Sequence, residues 1–264
     1  MSQFDDETTI ELIAPGHWST RLSKHWNIGD NSNGGYALSP VLRALQQLSA
    51  QPDPVTVTTH FFRPGRGDVD GEVQAEVLWA GRRLTSLTGS LSQDGKTRLT
   101  VLAAFGDLSG SLVSDQDITS APPDLPDPAD CLVRSGMEQG VDLPIMERTD
   151  VRVRPEHASA GTHHAAELEG WIRFTDGTEP TAMALPLFAD AFPPSVFSLM
   201  GRIGWVPTVE LTVHVRRHPA PGWLCARFEC DDLHDGRLIE SGRLWDSTGV
   251  LVAQSRQIGL LLPD

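Results

Sequence analysis

Cysteine is scarce in this chain of 264 residues, with Cys131, Cys225 and Cys230 the full set. So odd and sparse a count argues against a disulfide framework. Cys225 and Cys230 lie five apart in one strand-like run and would point to opposite faces. No CxxC, HExxH or other His/Cys ligand spacing occurs, so no metal site is expected. No apolar stretch approaches the roughly 18–20 residues that a membrane-crossing helix needs. The opening MSQFDDETTIELIAPG has neither the basic nor the apolar segment of a secretory signal. Positive charge is also short: 21 Lys and Arg stand against 35 Asp and Glu, a formal net charge of −14. That balance disfavours nucleic acid as a partner. Free thiols and the absence of a leader point to a reducing, cytoplasmic setting.

What remains is the composition of a folded protein, 39% hydrophobic and 21% charged, and its main organising signal is a repeat. In the first half Leu38, Val41, Leu42 and Leu45 recur at helical spacing, predicting a helix over 34–45. Strands are predicted at 54–62, 69–80, 83–93 and 97–106, with an earlier one between His17 and Ile28. Gly81 and Asp94-Gly95 punctuate them as turns. The second half repeats the order: strands near 150–154 and 167–174, a helix near 181–192, then strands near 208–216, 222–231, 236–246 and 250–262. Thr59-His60-Phe61-Phe62-Arg63 aligns with Thr212-Val213-His214-Val215-Arg216, and Arg83-Leu84 with Arg237-Leu238, at an offset of 153 to 154 residues.

Between the copies, Ala121-Pro122-Pro123-Asp124-Leu125-Pro126-Asp127-Pro128 is half proline, which removes amide donors and fixes φ, so 109–142 reads as a surface linker. The expected domains are 1–108 and 143–264. Each would be α+β, a curved antiparallel sheet around a central helix, and pairing of edge strands within the chain would close an edge that a single unit leaves open. Edges still free lead to the expectation of a homodimer.

Three segments carry a family likeness. The first is Asn33-Gly34-Gly35-Tyr36. The second runs from Thr59-His60-Phe61-Phe62-Arg63-Pro64-Gly65 through Gly81-Arg82-Arg83 to Gln93-Asp94-Gly95. The third is Leu187-Phe188-Ala189-Asp190-Ala191-Phe192, then Thr208, then Leu251 to Gln257. In this order they resemble the type II (TesB-like) acyl-CoA thioesterases over nearly the whole chain apart from the linker. The resemblance implies two tandem hotdog domains and hydrolysis of acyl-CoA to free acid and coenzyme A, with no separate cofactor. It implies that Asp190, Thr208 and Gln257 order and activate water. Asn33, Gly34, Gly35 and Tyr36, with Arg82 and Arg83, are the expected substrate-binding residues. Arg63, Arg66, Arg82, Arg83, Lys96 and Arg98 form the densest basic group of the first half, a place for a polyanionic nucleotide or simply solvated strand ends.

The residues themselves support part of this. Asp190 precedes Pro193-Pro194, which must end a helix, and a carboxylate opposing the helix dipole there has its proton affinity raised. The plain alternative is a solvated helix-end aspartate. Gln257 shares a strand face with Leu251, Ala253 and Leu261, so its amide must find partners, expected to be a water and Asp190; a neighbouring strand's backbone would serve too. Thr208 could be an ordinary β-former. Asn33-Gly34-Gly35 opens a helix, where the free amide of Gly35 or a neighbour could polarise a thioester, or merely cap the helix. The first copy has Ala103 where the second has Gln257, and the second has Thr181 near where the first has Gly35, so one composite site per chain is expected.

An enoyl-CoA hydratase would need an Asp/His pair at a comparable helix position, and a serine hydrolase a G-x-S-x-G elbow; neither occurs. The alternative of a different class is a non-catalytic acyl or aromatic ligand-binding protein on the same fold. Tyr36, Phe188, Phe192, Phe197 and Met200 are the expected walls of an acyl tunnel.

Overall fold

Alternation is clearest at Thr85–Gln93, where every second residue from Thr85 to Gln93 is buried and those between are half exposed. A strand of that period must lay one face on a core, and here helices cover it. The computed structural model describes residues 2–109, 118–202 and 204–262. Its first half carries α1 (Gln3–Glu7), β1 (Ile10–Ala14), β2 (His17–Arg21), a short ribbon of β3 (Asn27–Ile28) and β4 (Asn31–Ser32), α2 (Gly34–Ala37) and α3 (Ser39–Leu48). Then come β5 (Asp53–Phe61), β6 (Asp70–Ala80), β7 (Thr85–Gln93) and β8 (Lys96–Gly106). The second half carries β9 (Leu132–Val133), α4 (Gly136–Gln139), β10 (Thr149–Val153), β11 (Glu167–Phe174), α5 (Leu185–Phe188), α6 (Phe197–Met200), β12 (Thr208–Val215), β13 (Leu224–His234), β14 (Arg237–Trp245) and β15 (Leu251–Leu260). Among the described residues no helix is long and apolar enough to cross a membrane.

All strands but the ribbon join one 13-stranded sheet, in the order β1-β2-β6-β7-β8-β5-β12-β15-β14-β13-β11-β10-β9. Read outward from the β5–β12 joint, the first six strands on each side correspond, β5-β8-β7-β6-β2-β1 with β12-β15-β14-β13-β11-β10, and β9 extends the second copy by one. Irregularities are copied as well. The register shift at Val77/Trp79 between β6 and β7 recurs 153 residues on, at Cys230/Asp232 between β13 and β14. The shift at Leu91/Ser92 recurs at Leu244/Trp245, again 153 on. A bulge re-aims the strand that carries it, so a shared bulge marks a shared curvature. The units meet where β5 pairs antiparallel with β12, Val57 opposite Val213 and Thr59 opposite Leu211. The hydroxyls of Thr58 and Thr212 lie 2.9 Å apart across this joint. The open edge of each copy is thereby closed within the chain.

Several boundaries differ from expectation. The helix predicted over 34–45 is interrupted at Leu38 and runs on to Leu48, because Pro40 has no N–H to give the Tyr36 carbonyl. The helix predicted over 181–192 is a 3-10 turn at Ala182–Ala184 and one α turn ending at Phe188; Asp190 closes it with a tighter bond from its N–H to the Leu187 carbonyl, 3.0 Å. The early strand stops at Arg21, where Leu22 and Trp26 turn into the core around a 3-10 turn capped by Ser23. Of the expected linker, 110–117 lie outside the described residues, and the later part is not a connector. Leu132–Val133 pairs with β10, and α4 follows it.

The first central helix packs its apolar stripe on β6 and β7, where Gly89 makes room. A Cβ there would come within 2.7 Å of Val41 Cγ1. The N-terminal α1 reaches across to the second unit. Phe4 stacks on Phe174 at 5.4 Å, Glu7 takes both Arg148 Nε and Nη2 at 2.7 Å, and the Gln3 amide donates to Asp176. The units also meet where α2 lies against α5. A Cβ on Gly35 would lie 2.7 Å from Leu187 Cα and 2.8 Å from the Pro186 carbonyl oxygen, and backbone cannot step aside as a side chain can. Gly35→Ala is therefore expected to destabilise the fold by about 1–3 kcal/mol. This would be read as a lower urea midpoint at unchanged m-value; an unshifted midpoint would mean that the two segments do not touch.

Candidate active site between the two units

The ribbon β3–β4 delivers Asn33 to the start of α2, its N–H bonded to the Trp26 carbonyl at 3.0 Å. Its side-chain oxygen accepts the Tyr36 N–H at 2.9 Å, which turns the amide nitrogen outward. That nitrogen donates to both the carboxylate Oδ2 and the carbonyl of Asp190, each at 2.8 Å. The Gly35 N–H donates to the same Oδ2 at 2.8 Å. Burial pushes the Asp190 carboxyl up to about 6, the charge of Glu240 adds to this, and the amides of Gly35 and Gly34 with Asn33 pull the other way. The direction matches expectation but the cause is different. Asp190 lies beyond α5 and against the first turn of the other unit's helix, so desolvation raises it. The Gly35 amide, expected to face a substrate carbonyl, is engaged by this carboxylate.

Thr208 and Gln257 come together as expected, the threonine Oγ1 donating to Gln257 Oε1 at 3.2 Å. The other end of that amide does not reach Asp190. Its Nε2 donates to Glu240 Oε1 at 2.6 Å, and Glu240 Oε2 accepts the Ser195 N–H at 2.6 Å. Glu240 was not singled out in the sequence, yet it had a signal there. It alternates with Leu238, Gly242 and Leu244 on the buried face of β14, where a carboxylate is out of place. Burial pushes its carboxyl up, against the pull of Ser195 and Gln257.

One cavity of about 240 Å³ joins these groups, lined by Asn33, Gly34, Asp190, Thr208, Gln257 and Glu240, and walled by Phe61, Phe192, Trp205, Phe228 and Leu238. Arg134 and Gln139, from the stretch expected as linker, also line it. The Arg134 guanidinium is buried, donating to Gln139 Oε1 at 2.9 and 2.7 Å and to the Ala191 carbonyl at 2.6 Å. Burial pulls it down to about 9, while Asp190 pulls it back.

Other expected site residues lie elsewhere. Tyr36 is enclosed in the first unit, stacked on Trp26 at 4.9 Å; its hydroxyl donates to the Glu7 carbonyl and accepts the Ser23 N–H. Arg82 and Arg83 are exposed in the β6–β7 turn, at the end of the sheet where Gly106 pairs with Asp53. The cavity lies at the opposite end, by Phe61 to Gly65, and nine residues of β5 separate the two, some 27 Å at strand rise. Of the basic group only Arg63 lines the cavity. Arg66 and Arg98 both pair with Asp94. Gln93 braces the loop before β6, bonded to Arg66 and Val69. Of the expected tunnel residues only Phe192 lines the cavity; Phe188 and Phe197 are core, and Met200 is exposed.

One group could be considered for a metal: ligand atoms of His157, Glu167 and Glu169 lie within 4.8 Å of one another. Its chemistry disfavours a cation. Arg154 sits 2.7 Å from Glu169 and Arg227 2.6 Å from Glu167. His157 Nδ1 accepts the Glu169 N–H at 3.1 Å, so the neutral ring keeps its proton on Nε2, the atom a metal would need.

Helix-backed antiparallel sheets, joined edge to edge in one chain around a shared site, define the double-hotdog class. Comparison with known proteins agrees. The acyl-CoA thioesterase N-terminal domain matches residues 22–106 and the C-terminal domain residues 119–261. The chain belongs to the acyl-CoA thioesterase family. A crystal structure from Thermobifida fusca, provisionally named a thioesterase II, is 30% identical, covering 100% of this chain and 98% of that one at a TM-score of 0.89. A hot dog fold protein of unknown function from Alicyclobacillus acidocaldarius (21% identical, 100% and 99% covered, TM-score 0.84) and a tesB protein of Mycobacterium avium (18%, 98% and 98%, 0.78) share the fold.

The Asp190 carboxyl carries a stability cost that can be measured. Its folded value near 6 stands above the ordinary 3.8. The favourable contribution is therefore complete below about pH 4 and is lost as pH rises through 6, at most about 3 kcal/mol. Asp190→Asn cannot ionise. The parent and variant urea midpoints should run together in acid, and the parent should fall below the variant above pH 6. Profiles that stay parallel from pH 4 to 8 would refute a desolvated carboxyl.

Proposed function

We propose that the protein hydrolyses acyl-CoA thioesters to free acid and coenzyme A, using a water activated by Asp190 at one composite site per chain. The observation that carries this is the Asp190 carboxylate, held by the first unit's helix start, raised toward neutrality and opening on the same cavity as Thr208 and Gln257. A base poised near the working pH is what proton abstraction from water requires. In this reading a water sits among Asp190, Thr208 and Gln257. Its oxygen attacks the thioester carbonyl carbon while Asp190 takes a proton. The tetrahedral intermediate then collapses, the C–S bond breaks, and Asp190 returns the proton to the departing thiolate. Gln257 has a second N–H beyond the one given to Glu240, and it serves the water or the developing oxyanion. The aromatic wall takes the acyl chain. Arg63 at the rim is the basic residue placed for coenzyme A phosphates, in place of Arg82 and Arg83. A cytoplasmic setting and a homodimer belong to the same proposal, on the three unpaired cysteines and the outer edges at β1 and β9. Sedimentation that returns one 28.7 kDa chain at all concentrations would remove the dimer.

Thiol release measured across acyl-CoA chain lengths tests the reaction. Asp190→Asn should lower kcat by roughly 10² to 10⁴ with the fold intact, and undiminished turnover would sink Asp190 as the base. Binding of acyl-CoA without release at any chain length would decide for a non-catalytic acyl or aromatic ligand-binding protein.

A further inference from the structure

We infer that Glu240 is a positioning residue of this site, fixing which end of the Gln257 amide faces Thr208 and thereby which way the Thr208 hydroxyl points. The inference rests on the reading of Asp190 as base and adds a residue to it. Glu240 on β14 stands directly opposite Gln257 on β15 and is 3% exposed. A primary amide has two chemically different ends of nearly the same shape, and little but its neighbours chooses between them. A carboxylate accepts and cannot donate. With the Oε1 of the ionised Glu240 at 2.6 Å, it is the NH2 end of Gln257 that faces it. The amide oxygen must then face Thr208, whose hydroxyl hydrogen is given to it at 3.2 Å. The lone pairs of Thr208 are left for a water's hydrogen. A flipped amide would reverse every one of these polarities.

The second oxygen of Glu240 binds the Ser195 N–H, immediately after Pro193-Pro194, and so ties the segment that leaves Asp190 to the sheet. Among the described residues no Lys or Arg pairs with Glu240. A buried carboxylate without a cation is costly, and here it is met by the Gln257 amide and the Ser195 N–H, each at 2.6 Å.

Its charge also acts on Asp190. The groups that bear on this pair are Ser195 and Gln257 on Glu240, Arg134 from between β9 and α4, the Gly34 and Gly35 amides and Asn33 from the first unit, and Asp231 and Cys230 from β13. Two variants separate orientation from charge. Glu240→Gln removes the charge and can present either a donor or an acceptor to Gln257. Glu240→Asp keeps the charge but withdraws the oxygen from reach.

The experiment is the pH profile of kcat for thiol release from an acyl-CoA by the full chain. In Glu240→Gln the acid limb should move down by about half a pH unit or more, and kcat on the plateau should fall about tenfold. In Glu240→Asp the plateau should fall about tenfold with the acid limb unmoved. A plateau and acid limb both unchanged in Glu240→Gln overturn the proposal. Should that variant fail to fold, an unchanged plateau in Glu240→Asp does so alone. Asp190→Asn measured alongside keeps the two ideas apart. Turnover retained there defeats the base assignment, whereas turnover lost there with both Glu240 variants at parental values defeats only the role of Glu240.

Discussion

The two halves of this chain share one site because the helix start of one lies directly on the helix of the other, at the contact of Gly35 with Leu187. It leaves no space for even a methyl group. Through it the carboxylate of one unit reaches the amides at the helix start of the other, a bond that a side chain at residue 35 would prise apart. The β5–β12 joint fixes the distance between the sheets, and the helix contact fixes the distance between their contents. With both set, Asp190 is held against water on one side and open to the cavity on the other. Its proton affinity follows from that placement, because the donors that surround it are too few to offset the burial.

Much of the fold was legible because the chain states it twice. Element order, the turn at Asp94-Gly95 and the constant offset all pointed to copies, and the bulges at Val77 and Cys230 show the copying extends to backbone detail. The second central helix was less legible. Pro186 is tolerated at a helix start, so Leu185, Leu187 and Phe188 read as helical, while nothing in that run announced that it would stop after one turn. The stretch before β10 was hidden by its prolines. From Ala121 to Pro128 the chain is exposed or half-buried, but Arg134 and Gln139 beyond it fold back into the cavity.

The candidate site was legible in its residues and not in its wiring. Asn33, Gly34, Asp190, Thr208 and Gln257 do line one cavity. Which of them bond to which depends on strand register, and the register puts Gln257 beside Glu240. Arg82 and Arg83 show the matching limit. Charge density along a sequence cannot tell the two ends of a strand apart, and these two arginines belong to the far one. Tyr36 was misplaced for a related reason. Two residues beyond Gly34, which lines the cavity, a helix has turned about 200°, enough to face the Trp26 side of the core instead.

The N-terminal strap has a consequence for how the molecule is made. Phe4, Glu7 and Gln3 take their partners from Phe174, Arg148 and Asp176, all in the second unit. A ribosome delivers the chain from its first residue onward, and domains fold in that order. The opening helix therefore emerges some 170 residues before its seat exists. Phe4 must wait in water or in temporary company until β11 has been synthesised. Closure of the strap is a late event of biosynthesis, and it binds the beginning of the chain to the completion of its second half.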